Sequence, residues 1–230
     1  MLTEEMKKIL AGSQVDGWVL EPQAKRLLSL AGLDVPRFIR ADTIDDAIQF
    51  AEKIGYPLVG KVVSPRIVHK SDGGGVELGI TGETGLRETF SRFSRIEGFA
   101  GMLVEEMLAG IELIIGAKGD YQFGPVILLG IGGTFVDLYK DVTLRMAPLR
   151  ERDIASMIRS LRAHSLLEGY RGLSPVNLNA LTKTLLTFSD LVMDLEEWFE
   201  SVDLNPVICS SERCTVADAR IILKKPHSAA

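Results

Sequence analysis

Two helix-period segments followed directly by a compact apolar run constrain this chain more than any other feature. In residues 21–31, Ala24, Leu27, Leu28 and Ala31 recur at i, i+3, i+4 and i+7, the spacing of one helix face. Pro22 suits the first turn and Gly32 the stop. Residues 43–54 repeat the pattern with Ile44, Ala47, Ile48 and Ala51, closed by Gly55. Residues 56–63 then form the near-continuous apolar run of a buried strand. A loop over 64–75, a strand from Val76 and a helix carrying Leu86, Phe90 and Phe93 complete the first hundred residues.

At Gly101 the pattern changes. Short strands are expected at 102–106, 112–117, 125–129 and near 135–139. Ile154, Met157, Ile158 and Leu161 mark a helix. A longer one carries Leu178, Leu181, Leu185, Phe188, Val192 and Leu195 on one stripe, with Asn177 as its N-cap. Strands at 201–208 and 215–223 close the chain. The expected architecture is α+β in two lobes, a small lobe of about residues 21–101 and a large lobe of about 1–20 plus 102–230. A cleft between such lobes is a natural ligand site.

Composition enters by exclusion. With 46% hydrophobic and 25% charged residues, 230 residues are ample for a core and unlike a disordered chain. The balance of 26 basic against 31 acidic residues, net −5, with no basic stripe, argues against a nucleic-acid partner. No run approaches the length of a membrane span, and residues 1–10 mix acids with bases, so neither a membrane segment nor a signal peptide is expected. Cys209 and Cys214 read as reduced thiols of a cytoplasmic protein rather than as a disulfide. The 22 glycines are bunched, which marks loops that bend sharply or approach a ligand closely.

Four motifs carry chemistry. Lys61 lies inside an apolar strand, where an unpaired ammonium is costly. It either snorkels from a sheet edge or is aimed at an anion such as a phosphate. The loop 65–75 holds Arg66, His69, Lys70 and three consecutive glycines whose amides can crowd an anion. It lacks the GxxxxGK[ST] pattern of a P-loop. His69 is either a surface residue or a nucleophile able to carry a phosphoryl group. Glu105, Glu106 and Met107, with Glu112 beyond them, are either solvated acids or acceptors for adenine and ribose. Asp203 and Asn205 share one strand face, and Asn205 with Asp218 offers two oxygens to one Mg²⁺, which typically takes one or two protein oxygens. Their bland reading is a turn asparagine and a strand-end aspartate.

Taken together, these stretches resemble the ATP-grasp fold, and within it the β subunit of ADP-forming acetyl-CoA synthetase, that is, acetate–CoA ligase (ADP-forming). The resemblance rests on KVVSPRIVHKSDGGGV (61–76), LVEEMLAGIELIIGAKGDYQFGPVILLGIGG (103–133), KDVTLRMAPL (140–149), GYRG (169–172), DLNPV (203–207) and VADARIIL (216–223). It implies that Lys61 contacts the nucleotide phosphates and that Glu105, Glu106 and Met107 form a hinge holding adenine largely through backbone. Glu112 would bind the ribose side, and Asn205 and Asp218 would hold Mg²⁺. His69 would carry the phosphoryl group between two distant sites. Asp203 stands where the related β subunit has a glutamate that orients a phosphohistidine. Arg145 and Arg171 sit in matching motifs, with a phosphate contact as their only implied role.

The reaction implied is acyl-CoA + phosphate + ADP ⇌ acid + CoA + ATP. It requires an α subunit bearing the CoA and acyl site, in an α2β2 heterotetramer. The alternatives are a succinate–CoA ligase-type β subunit, which lacks HKSD, and a non-catalytic nucleotide-sensing ATP-grasp subunit, which would not need His69.

Overall fold

The structure, a computed structural model, describes residues 1–67, 74–133, 141–170, 172 and 174–225. It divides into two units: Met1–Val35 with Ala109–Ala230, and Pro36–Leu108. We call them the first and second units.

The first unit begins with α1 (Glu4–Ser13), β1 (Trp18–Val19) and α2 (Glu21–Leu30). The second contains β2 (Phe38–Ala41), α3 (Ile44–Ile54), β3 (Leu58–Val62), β4 (Val76–Ile80), α4 (Glu83–Phe93) and β5 (Met102–Glu106). The chain then returns to the first unit. There it forms β6 (Ile111–Asp120), β7 (Gly124–Ile131), β8 (Val142–Met146), α5 (Glu151–Ser160) and a 3-10 turn at His164–Leu166. It ends with α6 (Leu178–Asp194), β9 (Phe199–Cys209), β10 (Cys214–Val216) and β11 (Ala219–Leu223).

Both lobe boundaries move from those expected. Residues 21–35 belong to the first unit, because Ala24, Leu27 and Leu28 of α2 are buried in that unit's core. Residues 102–108 belong to the second, because β5 is the strand that joins β2 to β3.

The second unit is an antiparallel sheet in the order β2-β5-β3-β4 with α3 and α4 on one face. The Thr43 hydroxyl caps α3 by accepting from the Asp46 amide, and Gly55 ends it at φ +83°, a conformation that favours glycine. Leu58, Val62, Met102 and Val104 point from the sheet into a core with Ala47, Ala51, Leu86 and Phe93. Burying a side chain such as Phe93 contributes about 1.5–3 kcal/mol. Gly60 lets α4 close on the sheet, since a Cβ there would lie 3.2 Å from both Ile80 and Thr89 side chains.

The first unit carries a sheet in the order β1-β11-β9-β6-β7-β8, with β10 also on β9. Its inner face packs against α1, α2, α5 and α6. Asn177 caps α6 through Oδ1, which accepts from the Ala180 amide at 3.0 Å. The buried stripe of α6 runs through Leu181, Leu185, Phe188 and Val192; Leu178, expected on it, is exposed.

Sequence periodicity did not indicate α1, β1, β2 or β8, and the strand near 135–139 lies outside the described residues. The strand expected at 215–223 is two strands, β10 and β11, broken at residues 217–218.

Candidate functional site

Strand alternation divides β3 and β5 cleanly. Leu58, Gly60 and Val62 face the helices, so Lys61 projects from the opposite face of the sheet. The register places Lys61 opposite Leu103 and Val59 opposite Glu105, which makes Lys61 and Glu105 diagonal neighbours on that face. Their side chains meet: Lys61 Nζ lies 2.8 Å from Glu105 Oε1, at 6% and 3% exposure. Snorkelling to solvent is therefore excluded for Lys61. Glu105 contributes a side chain as well as backbone, because a buried ammonium requires a counter-charge.

The next two residues are also engaged. Glu106 holds Arg37 through both oxygens, Oε1 from the Arg37 amide and Oε2 from its guanidinium, each at 3.0 Å. The Glu106 amide donates to Arg37 O and the Met107 amide to Pro57 O. A purine at this stretch would thus meet groups other than these two amides. The Met107 side chain is exposed. Arg37, not singled out from sequence, fixes the end of β5.

In the first unit, one face of the sheet collects all the residues singled out there that the structure describes, apart from Arg145. Val207 pairs with Val216 and Leu204 with Ala219, in a single register. That register sets Asn205 opposite Asp218, in the two-residue break between β10 and β11. The Asn205 amide donates to Asp218 O at 3.2 Å. Facing positions put Cβ atoms about 5 Å apart. Two pairs further along, on the same face, Asp203 faces Arg220, and Arg220 Nη2 donates to Asp203 Oδ2 at 3.4 Å. Buried Leu204 and Ala219 point into the core, so their chain neighbours Asp203, Asn205, Asp218 and Arg220 lie on the outer face. On β6, Leu113 and Ile115 point inward, and exposed Glu112 shares that outer face. Asp218 is not on a strand as expected. Pro206 opposite Ala217 has no amide to give the ladder, and its carbonyl instead accepts from the Ala217 and Asp218 amides.

This donor set suits a hard divalent cation. Asn205 and Asp218 supply a neutral amide oxygen and a carboxylate on facing positions. Among the described residues no three His, Cys, Asp or Glu side chains cluster as a self-sufficient metal site. A cation held here would keep other ligands, as Mg²⁺ does with waters and substrate phosphates. Arg220 was legible in principle, since it stands two residues beyond Asp218 on the same face.

Glycines 130 and 132 have packing reasons. A Cβ at Gly130 would meet Val142 Cγ1 at 2.8 Å, and one at Gly132 would lie 3.0 Å from the Glu112 carbonyl. Gly132 also donates to Glu112 O at 2.7 Å, so this turn fixes the backbone of Glu112. Arg145 donates to Leu144 O and Ser156 Oγ. His69, Gly73 and Arg171 lie outside the described residues. No described helix is long and apolar enough to cross a membrane.

Antiparallel sheets with one helical face each, a buried lysine on a strand and paired oxygen donors on a sheet face are the parts of an ATP-grasp module. A model of the ATP-grasp domain matches residues 11–223, and the chain belongs to that family. Within it the chain groups with the β subunits of ADP-forming acetate–CoA ligases, a ligase family. It is 41% identical over 216 residues to subunit β of acetate–CoA ligase [ADP-forming] II of Pyrococcus furiosus, covering 90% of this chain and 92% of that one. It is 41% identical over 215 residues to acetate–CoA ligase [ADP-forming] I of Archaeoglobus fulgidus, covering 90% of this chain but 31% of that longer one. Among solved structures it resembles dinucleotide-forming acetyl-coenzyme A synthetase 1 of Candidatus Korarchaeum cryptofilum in complex with coenzyme A and Mg-AMPPCP. In that structure the phosphohistidine segment points towards the nucleotide-binding site; the match has a TM-score of 0.83 at 39% identity and covers 95% of this chain and 100% of that one.

Proposed function

We propose that this chain is the nucleotide-binding β subunit of an ADP-forming acyl-CoA synthetase, working with a separate α subunit that bears the CoA and acyl site. The observation that carries the reading is the facing pair Asn205 and Asp218, with Asp203, Arg220 and Glu112 on the same sheet face. A partner is supported by the β-subunit relative, and by the Archaeoglobus relative, in which the matched stretch is under a third of a longer ligase. A cytoplasmic location and an α2β2 assembly belong to the same reading.

In this role Asn205 and Asp218 hold Mg²⁺, which supplies neutralisation of phosphate charge. Lys61 adds a second positive charge at the phosphates, already oriented by Glu105. Phosphoryl transfer requires positioning and charge neutralisation more than covalent participation by the protein. The covalent step belongs to His69: a ring nitrogen accepts the phosphoryl group delivered from the α subunit and then yields it to the terminal oxygen of ADP. Each step forms one bond to phosphorus as another breaks. Asp203 steadies the imidazole, and Glu112 accepts from the ribose hydroxyls.

The test is His69→Ala, assayed for Mg–ADP binding by calorimetry and for ATP formation with the α subunit. Binding is expected to persist while turnover falls at least a thousandfold. Unchanged turnover would exclude the carrier role and favour a nucleotide sensor. Absence of Mg–ADP binding in the unmodified chain would overturn the nucleotide reading itself.

A further inference from the structure

Cys209 and Cys214 have no part in the chemistry above, yet the fold sets them face to face. Cys209 ends β9 and Cys214 begins β10, and the two are direct partners across that antiparallel pair. Both are buried, at 1% and 2% exposure, and both point into the core of the first unit. The next pair outward, Ser210 and Arg213, is closed by a Ser210 amide to Arg213 carbonyl bond of 2.9 Å. Hydrogen-bonded and non-hydrogen-bonded pairs alternate along such a ladder, so the cysteines occupy a non-hydrogen-bonded pair with Cα atoms about 4.5 Å apart. That is within the range a disulfide spans, about 4.4–6.8 Å.

We infer that Cys209 and Cys214 are a reversible dithiol–disulfide site closing the β9–β10 hairpin. The bland alternative is a pair of small apolar core residues. Against it stands the coincidence of both thiols on one facing pair, immediately inside a solvent-exposed tip at residues 211–213. The hydrogen bond its S–H makes to Cys214, together with burial, pushes the Cys209 thiol far above its ordinary value and keeps it protonated. Cys214 directly adjoins the exposed tip, whereas half-buried Ser210 separates Cys209 from it, so oxidation starts at Cys214 when the hairpin end opens. Cys214 Sγ takes the terminal oxygen of a hydroperoxide, giving a sulfenic acid and releasing the alcohol, or water from hydrogen peroxide. Cys209 Sγ then attacks that sulfur and loses its proton, and the sulfenic oxygen leaves as water. Two electrons pass from the two thiols to the peroxide, and a cellular thiol reverses the step by exchange. The disulfide pins the end of the hairpin whose strands, further along, place Asn205 opposite Asp218.

The sequence provides a direct assay. Trypsin cuts after Lys183, Arg213 and Arg220, so the two cysteines fall in separate peptides, 184–213 and 214–220. Folded wild-type chain is exposed to hydrogen peroxide, blocked with an alkylating agent, denatured, digested and mapped without reductant. The expected result is the two peptides joined within one chain and separated by dithiothreitol. Peptides recovered unjoined, whether alkylated or over-oxidised, would overturn the inference, as would linkage between chains or linkage formed only in urea. Cys209→Ser adds a check on order: its Cys214 is expected to reach sulfinic acid, whereas an unoxidised Cys214 refutes the assigned first step.

Discussion

Replacing Glu105 tests the second unit at a buried ion pair. Lys61 and Glu105 are 6% and 3% exposed and 2.8 Å apart, so neither charge is well solvated and each is offset by the other. Removing one member of such a buried pair costs about 3–5 kcal/mol, whereas replacing both by apolar residues of similar volume is often neutral or better. Glu105→Ala adds the loss of a buried side chain on a strand between two neighbours, which places it toward the upper end. Glu105→Leu combined with Lys61→Met is expected to recover most of that loss, to within about 1 kcal/mol of wild type. Urea unfolding, followed by hydrogen exchange of the β3 and β5 amides, reports this unit separately from the first. On the proposed role of Lys61 at the phosphates, the double variant should fold yet bind Mg–ADP at least tenfold more weakly. A Glu105→Ala cost below about 1 kcal/mol, or a double variant no more stable than the single one, would refute the argument that the pair is a mutually dependent buried unit.

Two further outcomes follow from close packing and from linkage. At Gly110 a Cβ would sit inside hard contact with the Cys209 carbonyl, 2.9 Å from its carbon. Gly110→Ala should therefore destabilise the first unit by about 1–3 kcal/mol in urea unfolding, and a neutral result would contradict this backbone approach. The Cys209 thiol is held far above its ordinary 9.0 in the folded chain. Above that pH the unfolded thiol ionises while the folded one keeps its proton, so stability contributed below pH 9.0 should be lost as pH rises. Under reducing conditions Cys209→Ala should flatten the fall in melting temperature between pH 9 and 10.5, and an unchanged slope would assign that fall to other groups.

Sequence by itself determined the local structure. Thr43, Gly55 and Asn177 announced helix ends because capping is decided by bonds within a few residues. The strand expected at 102–106 matches β5, which opens with the consecutive apolar residues Met102, Leu103 and Val104, all buried. The motif residues Lys61, Asn205 and Asp218 were legible as chemistry out of place in their surroundings. β8 was not legible because its pattern is inverted: Val142, Leu144 and Met146 are exposed while Thr143 points inward. α1 lacks a strong apolar stripe, and β1 is two residues long.

Partnership was decided only by the tertiary structure. Lys61 meets Glu105 because β3 and β5 pair in one register, and a shift of one residue would turn Glu105 to the helical face. Asn205 faces Asp218, and Arg220 joins Asp203, for the same reason on β9 and its neighbours. The assignment of α2 to the first unit and β5 to the second came from which apolar face found which core. Side-chain type is written locally in the chain, but register and core membership are set by contacts between segments far apart in it. That is why the chemical groups of this site and the pairing of Asn205 with Asp218 were visible in the sequence, while the pairings of Lys61 with Glu105 and of Asp203 with Arg220 were not.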